Sequence, residues 1–196
     1  MNEQLKSIQA TLKTGEEILT YYEKPIGCNL LDFWRWSVSD ILSNATRGIF
    51  AEFIVASALD LVKNNIRNEW GAFDLETQNG IKIEVKSSAF IQSWAQKDYS
   101  NIIFSIKPSK AWDKESNEMA KESKRHVDVY VFCLLKHKNQ ESINPLSIDQ
   151  WEFYVLPTSA LGEERKTIGL KSLQNLTSSV SYDKLKSKID SIGKIG

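Results

Sequence analysis

The sequence predicts an α/β protein, a mixed β-sheet core flanked by helices, and three stretches carry that expectation. Residues 70–86, WGAFDLETQNGIKIEVK, alternate apolar and polar side chains on either side of Asn79-Gly80, a dipeptide that favours a tight hairpin. Residues 127–135, VDVYVFCLL, are a near-continuous β-branched and aromatic run, the pattern of a strand covered on both faces. Ahead of the hairpin, Ser43 and Asn44 are good N-cap types for a helix running to about Lys63. With 196 residues, 41% of them hydrophobic and 10% aromatic, the chain can bury one core, so a single domain over 1–196 is expected.

Taken in order, residues 3–24 read as a helix, with Leu5, Ile8, Leu12, Ile18 and Leu19 as an imperfect apolar stripe broken by Gly15; Pro25 and Gly27 end it. Phe33, Trp34 and Trp36 crowd around Arg35. Such a cluster could stack on bases, but packing between helices is the commoner use of aromatics and is the expectation here. Residues 1–42 are thus expected to be a helical extension, 43–160 the core and 161–196 a C-terminal helical tail. In the helix after Ser43, Glu52 has Gly48, Ile49, Val55 and Ala56 as neighbours, so its carboxylate leaves from an apolar face. An unpaired carboxylate is costly there, and a metal or a hydrogen-bonded site would relieve the cost.

The loop length of the hairpin decides where its charges lie. A two-residue Asn79-Gly80 loop sets Asp74 opposite Val85 and sends Glu84 to the other face. A three-residue loop, Gln78-Asn79-Gly80 with Gly80 left-handed, pairs Asp74 with Glu84 and keeps Lys86 on the same face. The second register is the expected one. Two carboxylates side by side repel unless a cation lies between them, and a divalent metal is the natural candidate.

Beyond the hairpin, Ser87 or Ser88 ends the strand, and the residues up to Gln96 form a short helix or ordered loop. On a helix, Gln92 and Gln96 would share a face. Residues 101–107 alternate as a third strand stopped by Pro108, and 109–125 read as a loop or exposed helix. Residues 150–156 suit an antiparallel neighbour of 127–135, reached through Asn144-Pro145, and Pro157-Thr158 opens a short helix. Residues 168–176 supply further anchors, and a last helix is expected near 182–189.

Lys plus Arg equals Asp plus Glu at 25 each, so no global positive field marks the chain as a nucleic-acid binder; a site for nucleic acid must concentrate its charge locally. Cys28 and Cys133 stand in apolar settings, which fits reduced thiols in a cytoplasm better than a disulfide framework. His126 and His137 have no metal-ligand companions at useful spacing. No run approaches membrane-spanning length, and the polar opening is no signal peptide, so a cytoplasmic protein without membrane contact is expected.

Asp74, followed across a hairpin by Glu84-Val85-Lys86 and preceded by a helix that carries Glu52 within RGIFAEFIVA, resembles the PD-(D/E)XK nuclease superfamily. Phe73 stands where that pattern has proline, a loose position in the superfamily. The resemblance covers residues 43–160 at the level of element order. It implies a restriction endonuclease-like core and Mg²⁺-dependent hydrolysis of DNA phosphodiester bonds, with Mn²⁺ as a substitute, double-stranded DNA as partner and a restriction or bacterial defence setting. A homodimer is left open. It also implies roles. Asp74, Glu84 and the carbonyl of Val85 would hold the metal, Glu52 would join through a water or a second metal, and Lys86 would orient or deprotonate the attacking water. Gln92 or Gln96, Arg47 and Ser88 would contact DNA. The competing readings are a nucleic-acid-binding module of the same fold without turnover, and an interaction protein whose charged hairpin is only a surface.

Overall fold

Turn chemistry and strand patterning account for most of the computed structural model, which describes residues 5–113 and 117–193. The N-terminus departs from expectation. In place of a helix over 3–24, the chain has no helix or strand from residue 5 to 17, and Ile18–Tyr21 (β1) pairs antiparallel with Lys24–Asn29 (β2). Tyr22 and Glu23, at φ 45° and 64°, make the two-residue turn between them. The apolar stripe finds nothing to bury against: Leu5 and Ile8 are almost fully exposed, and a short helix without a packing partner is marginal in water. Gly15 at φ 95° turns the chain against the ring of Trp34, and its N–H and that of Thr14 donate to the Glu17 carboxylate at 2.9 and 3.0 Å.

Helix Leu30–Val38 (α1) opens with a capping box in which Asn29 and Asp32 each bond the other's backbone N–H, both at 3.0 Å. None of its residues is buried, and Trp36 is 85% exposed. The aromatic cluster expected in the core therefore lies outside it. Cys28 is likewise exposed, whereas Cys133 is buried.

Helix Asn44–Ala58 (α2) starts after Ser43 as expected but stops short of Lys63. Asp60 adopts φ 60°, and the N–H groups of Asp60 and Leu61 return to the carbonyls of Ser57 and Ala56 at 3.3 and 2.9 Å, a Schellman cap.

Leu75–Glu76 (β3) and Lys82–Ala89 (β4) form the hairpin. Next come Ile103–Ser105 (β5), then Trp112–Asp113 (β6) and Glu118–Met119 (β7), which pair with each other where a loop or exposed helix was expected; residues 114–116 of that stretch lie outside the described residues. Val129–Leu135 (β8) and Trp151–Pro157 (β9) follow, and a 3₁₀ turn at Thr158–Leu161 leads to Thr167–Gly169 (β10), Leu170–Leu176 (α3) and Leu185–Gly193 (α4).

The main sheet runs β3-β4-β8-β9, with β4 parallel to β8 and the other pairs antiparallel. As the sequence predicts, β8 is central and buried along its whole length. Val129, Val131, Cys133 and Leu135 face α2 and α4, meeting Ile54, Val55, Leu185 and Ile189, while Tyr130, Phe132 and Leu134 face Phe104, Ile168 and Leu173 on the other side. The expected third strand is shorter than predicted and pairs with β10 in a separate ribbon over that second face. A mixed sheet with helices against it is thus the architecture. None of the described helices is long and apolar enough to cross a membrane.

Candidate active site

β3 is only two residues long, so it pairs with the beginning of β4 and leaves the edge of β4 from Val85 onward without a strand partner on that side among the described residues. Gly80 sits at φ 79°, and Thr77 N–H donates to the Ile81 carbonyl at 3.0 Å, which closes the three-residue loop. Leu75 opposite Ile83 and Glu76 opposite Lys82 are the register the longer loop requires; Asp74 stands one residue outside β3, and its N–H donates to the Ile83 carbonyl at 3.0 Å. At the end of the ladder, Asp74 Oδ2 accepts the Val85 N–H at 2.7 Å, so the carboxylate takes the place of a missing main-chain acceptor. In a strand both main-chain groups of one residue point the same way, so the Val85 carbonyl lies along this edge too. Glu84 and Lys86, two residues apart, share a face, and Lys86 Nζ donates to Glu84 Oε1.

Burial, and next the charge of Glu84, push the Asp74 carboxyl up to about 6; Glu52 adds to the rise, while the Val85 N–H and Lys86 oppose it. The consequence for stability has a definite sign. Because the folded value lies above the usual 3.8, the unfolded chain ionises first, and stability falls as pH rises from about 4 to about 6. The ceiling on this loss is about 3 kcal/mol, and partial exposure of Asp74 brings it lower. Asp74→Asn keeps an acceptor for Val85 and has no charge to lose. In EDTA it should be the more stable protein at pH 7.5, with the gap closing towards pH 4, as read by urea denaturation at both values. Equal stability at pH 7.5 would mean that the carboxylate carries no penalty there.

Glu52 comes to this edge from the α2 side, whereas Glu84 and Lys86 project on the face bearing Tyr130, and Asp74 lies between and feels both acids. The Glu52 side chain is only 13% exposed, but it is not unpaired: Arg67 Nε and Nη2 donate to its two oxygens at 2.5 and 2.9 Å. Of the two ways to relieve its burial cost, a metal or a hydrogen-bonded site, the structure shows the second, supplied by a guanidinium. Sequence reasoning missed Arg67, whose only signal was that it is one of two cations, with Lys63, in the connection from α2 to β3. Among the described residues, no three His, Cys, Asp or Glu side chains converge to hold a metal ion.

Of the residues assigned to DNA contact, Arg47, Gln92 and Gln96 are engaged by protein groups, whereas Ser88 lines an open cleft. Arg47 is 3% exposed and donates to Leu42 O at 2.8 Å, Gln92 Oε1 at 3.0 Å, Asn44 Oδ1 at 2.5 Å and Ser87 Oγ at 3.3 Å. It ties the start of α2 to β4 and to the segment after it, and burial with no acid partner lowers its value to about 10. Residues 90–100 are an ordered loop without a helix, so Gln92 and Gln96 do not share a helical face. Gln92, almost fully buried, donates to Ala89 O and Ser100 Oγ, and its N–H bonds Gln96 Oε1 at 2.6 Å, while Gln96 Nε2 also serves Ser100. Both amides are spent on holding the loop. Ser88 shares the face of Glu84 and Lys86 and lines an open cleft with Lys86, Asn44 and Asn101.

Fold and site together define a mixed-sheet α/β protein with an acid pair and a lysine gathered at the open edge of its hairpin. Residues 29–172, well over half of the chain, match the family model of bacteriophage T4 endonuclease IV, and the chain belongs to that family. Family membership supports a nuclease role. No curated protein matches the chain.

Proposed function

We propose that the chain is a Mg²⁺-dependent endonuclease that hydrolyses DNA phosphodiester bonds at the β3–β4 edge, with Mn²⁺ able to substitute. The observation that carries this reading is Asp74 at the strand edge, bonded to the Val85 N–H and raised to about 6 by burial and by the charge of Glu84, which is itself bonded to Lys86. Such an arrangement is relieved by a hard cation. The donor set suits Mg²⁺, which takes one or two carboxylates and keeps several waters, and so needs no cage of three acids. Asp74 Oδ1 has no partner among the described residues, and the Val85 carbonyl shares its edge. Glu52 would contribute through a water, since Arg67 holds both its oxygens. Bound there, Mg²⁺ would polarise the phosphate and offset charge on the leaving oxygen.

The chain's own groups supply the rest. Lys86 Nζ, steadied by Glu84, orients or deprotonates the attacking water. Arg47, a buried cation with no acid against it, adds a positive field beneath the cleft that Lys86 and Ser88 line. The same residues support the likeness to PD-(D/E)XK nucleases drawn from Asp74 and Glu84-Val85-Lys86.

Incubation of the purified chain with supercoiled plasmid, linear duplex and single-stranded DNA tests this directly. Mg²⁺ or Mn²⁺ should permit internal cleavage, and EDTA should stop it. Cleavage that persists in EDTA would remove the metal from the mechanism. DNA bound but cut under none of these conditions would leave a binding module in place of the enzyme.

A further inference from the structure

The side of Asp74 away from Lys86 has a site of its own. Helix α2, the segment after it and β3 enclose a pocket of about 340 Å³ that includes Glu52 and Asp74 but neither Glu84 nor Lys86. Its walls are apolar and partly open to solvent: Ile49, Phe53 and Ile66 are 44, 50 and 44% exposed, a concave arrangement more usual for a ligand site than for free surface. The Phe53 ring is not loose. It stacks on Phe50 with centroids 6.1 Å apart and planes at 17°, and Phe50 in turn leans on the buried Trp151 at 6.3 Å.

Charge and hydrogen-bonding capacity narrow the occupant. Three acids, Glu52, Asp74 and Glu76, line the pocket against the single cation Arg67, which Glu52 already engages, so a phosphate is disfavoured and a neutral ring is not. Asn65 donates through Nδ2 to Leu61 O at 2.7 Å and keeps Oδ1 without a partner among the described residues. Asn68 accepts the Trp70 N–H through Oδ1 at 3.3 Å and keeps Nδ2 without a hydrogen-bond partner among them. One acceptor and one donor beside an aromatic face are what the edge of a base requires. At about 340 Å³ the pocket is at the small end for ligand sites, with room for one ring system and none for a stacked pair.

We propose that this pocket takes one unstacked nucleobase of the strand cut at the adjoining edge, stacked on Phe53 and read by Asn65 and Asn68. The proposal rests on the nuclease reading, and it requires the base to leave the stack, either in a single strand or by flipping from a duplex.

The test is a set of fluorescent oligonucleotides, single-stranded and duplex, each with an abasic site at one successive position, whose binding to the full chain is measured by anisotropy in EDTA. One position should weaken binding about tenfold to a hundredfold when abasic, the scale for losing a base–aromatic stack. Phe53→Ala should weaken the intact oligonucleotide by a similar factor and leave the abasic one at that position unchanged, while Phe53→Tyr should retain binding. Seen in either strand state, this pattern supports the pocket. DNA that is bound and cut normally with no position-specific abasic effect, or Phe53→Ala acting equally on intact and abasic strands, overturns it and leaves the nuclease standing. Absence of any DNA binding removes both readings.

Discussion

Lys86→Ala should lose DNA cleavage by about a hundredfold or more, the scale for removing a group that handles the proton of the attacking water. The side chain is 31% exposed at the open edge and its ammonium is bonded to Glu84, so truncation leaves no cavity in either core cluster. It does remove the cation bonded to Glu84, which makes the two acids more repulsive and Mg²⁺ binding no weaker. DNA binding in EDTA should stay within a few-fold of wild type, since a single positive charge is lost. Lys86→Arg separates the two possible tasks. A guanidinium stays charged, so it can orient a water or meet a phosphate but cannot take a proton, and rescue by arginine would assign Lys86 to positioning. Single-turnover cleavage and anisotropy read both quantities. Undiminished cleavage by Lys86→Ala would sink the role.

Glu84→Ala should abolish cleavage outright while leaving DNA binding in EDTA equal to or tighter than wild type, because a negative charge facing the phosphates has gone. Its partner in the pair gives the cleaner metal measurement. Asp74→Asn preserves an acceptor for the Val85 N–H, so a weakening of Mg²⁺ binding on the order of tenfold or more in calorimetric titration would report the lost charge rather than a lost strand end. Equal Mg²⁺ affinity in wild type and Asp74→Asn would place the metal elsewhere. A surface hairpin with no catalytic task predicts that neither substitution alters any cleavage, and a binding module predicts that there is none to alter.

The parts of this site that were legible in advance are those set by local periodicity. Asn79-Gly80 and the alternation around it are enough to place the hairpin and to narrow its loop to two or three residues, and the three-residue loop that was favoured is the one observed. The buried run in β8 and the alternation of β9 are read in the same way. Glu52 stood out as an acid on an apolar helix face in need of a metal or a hydrogen-bonded site, and its low exposure agrees; the partner itself was not legible, since Arg67 arrives through an irregular connection that no period describes. For Gln92 and Gln96 the choice between a short helix and an ordered loop was not legible for a related reason: each amide satisfies loop backbone or Ser100, partners that no period describes.

What the sequence by itself determined was the hairpin, the shared face of Glu84 and Lys86 and the central strand beside them, since these follow from side-chain period and turn chemistry over a few residues. Tertiary structure alone decided the rest. It left the apolar stripe of residues 5–19 and the aromatics of α1 outside the core, turned Arg47 inward on neutral partners, joined Arg67 to Glu52, and shaped the pocket around Phe53. Those outcomes depend on which surfaces meet after the chain closes on itself, and a side chain's burial and charge partners are set by neighbours far away in sequence.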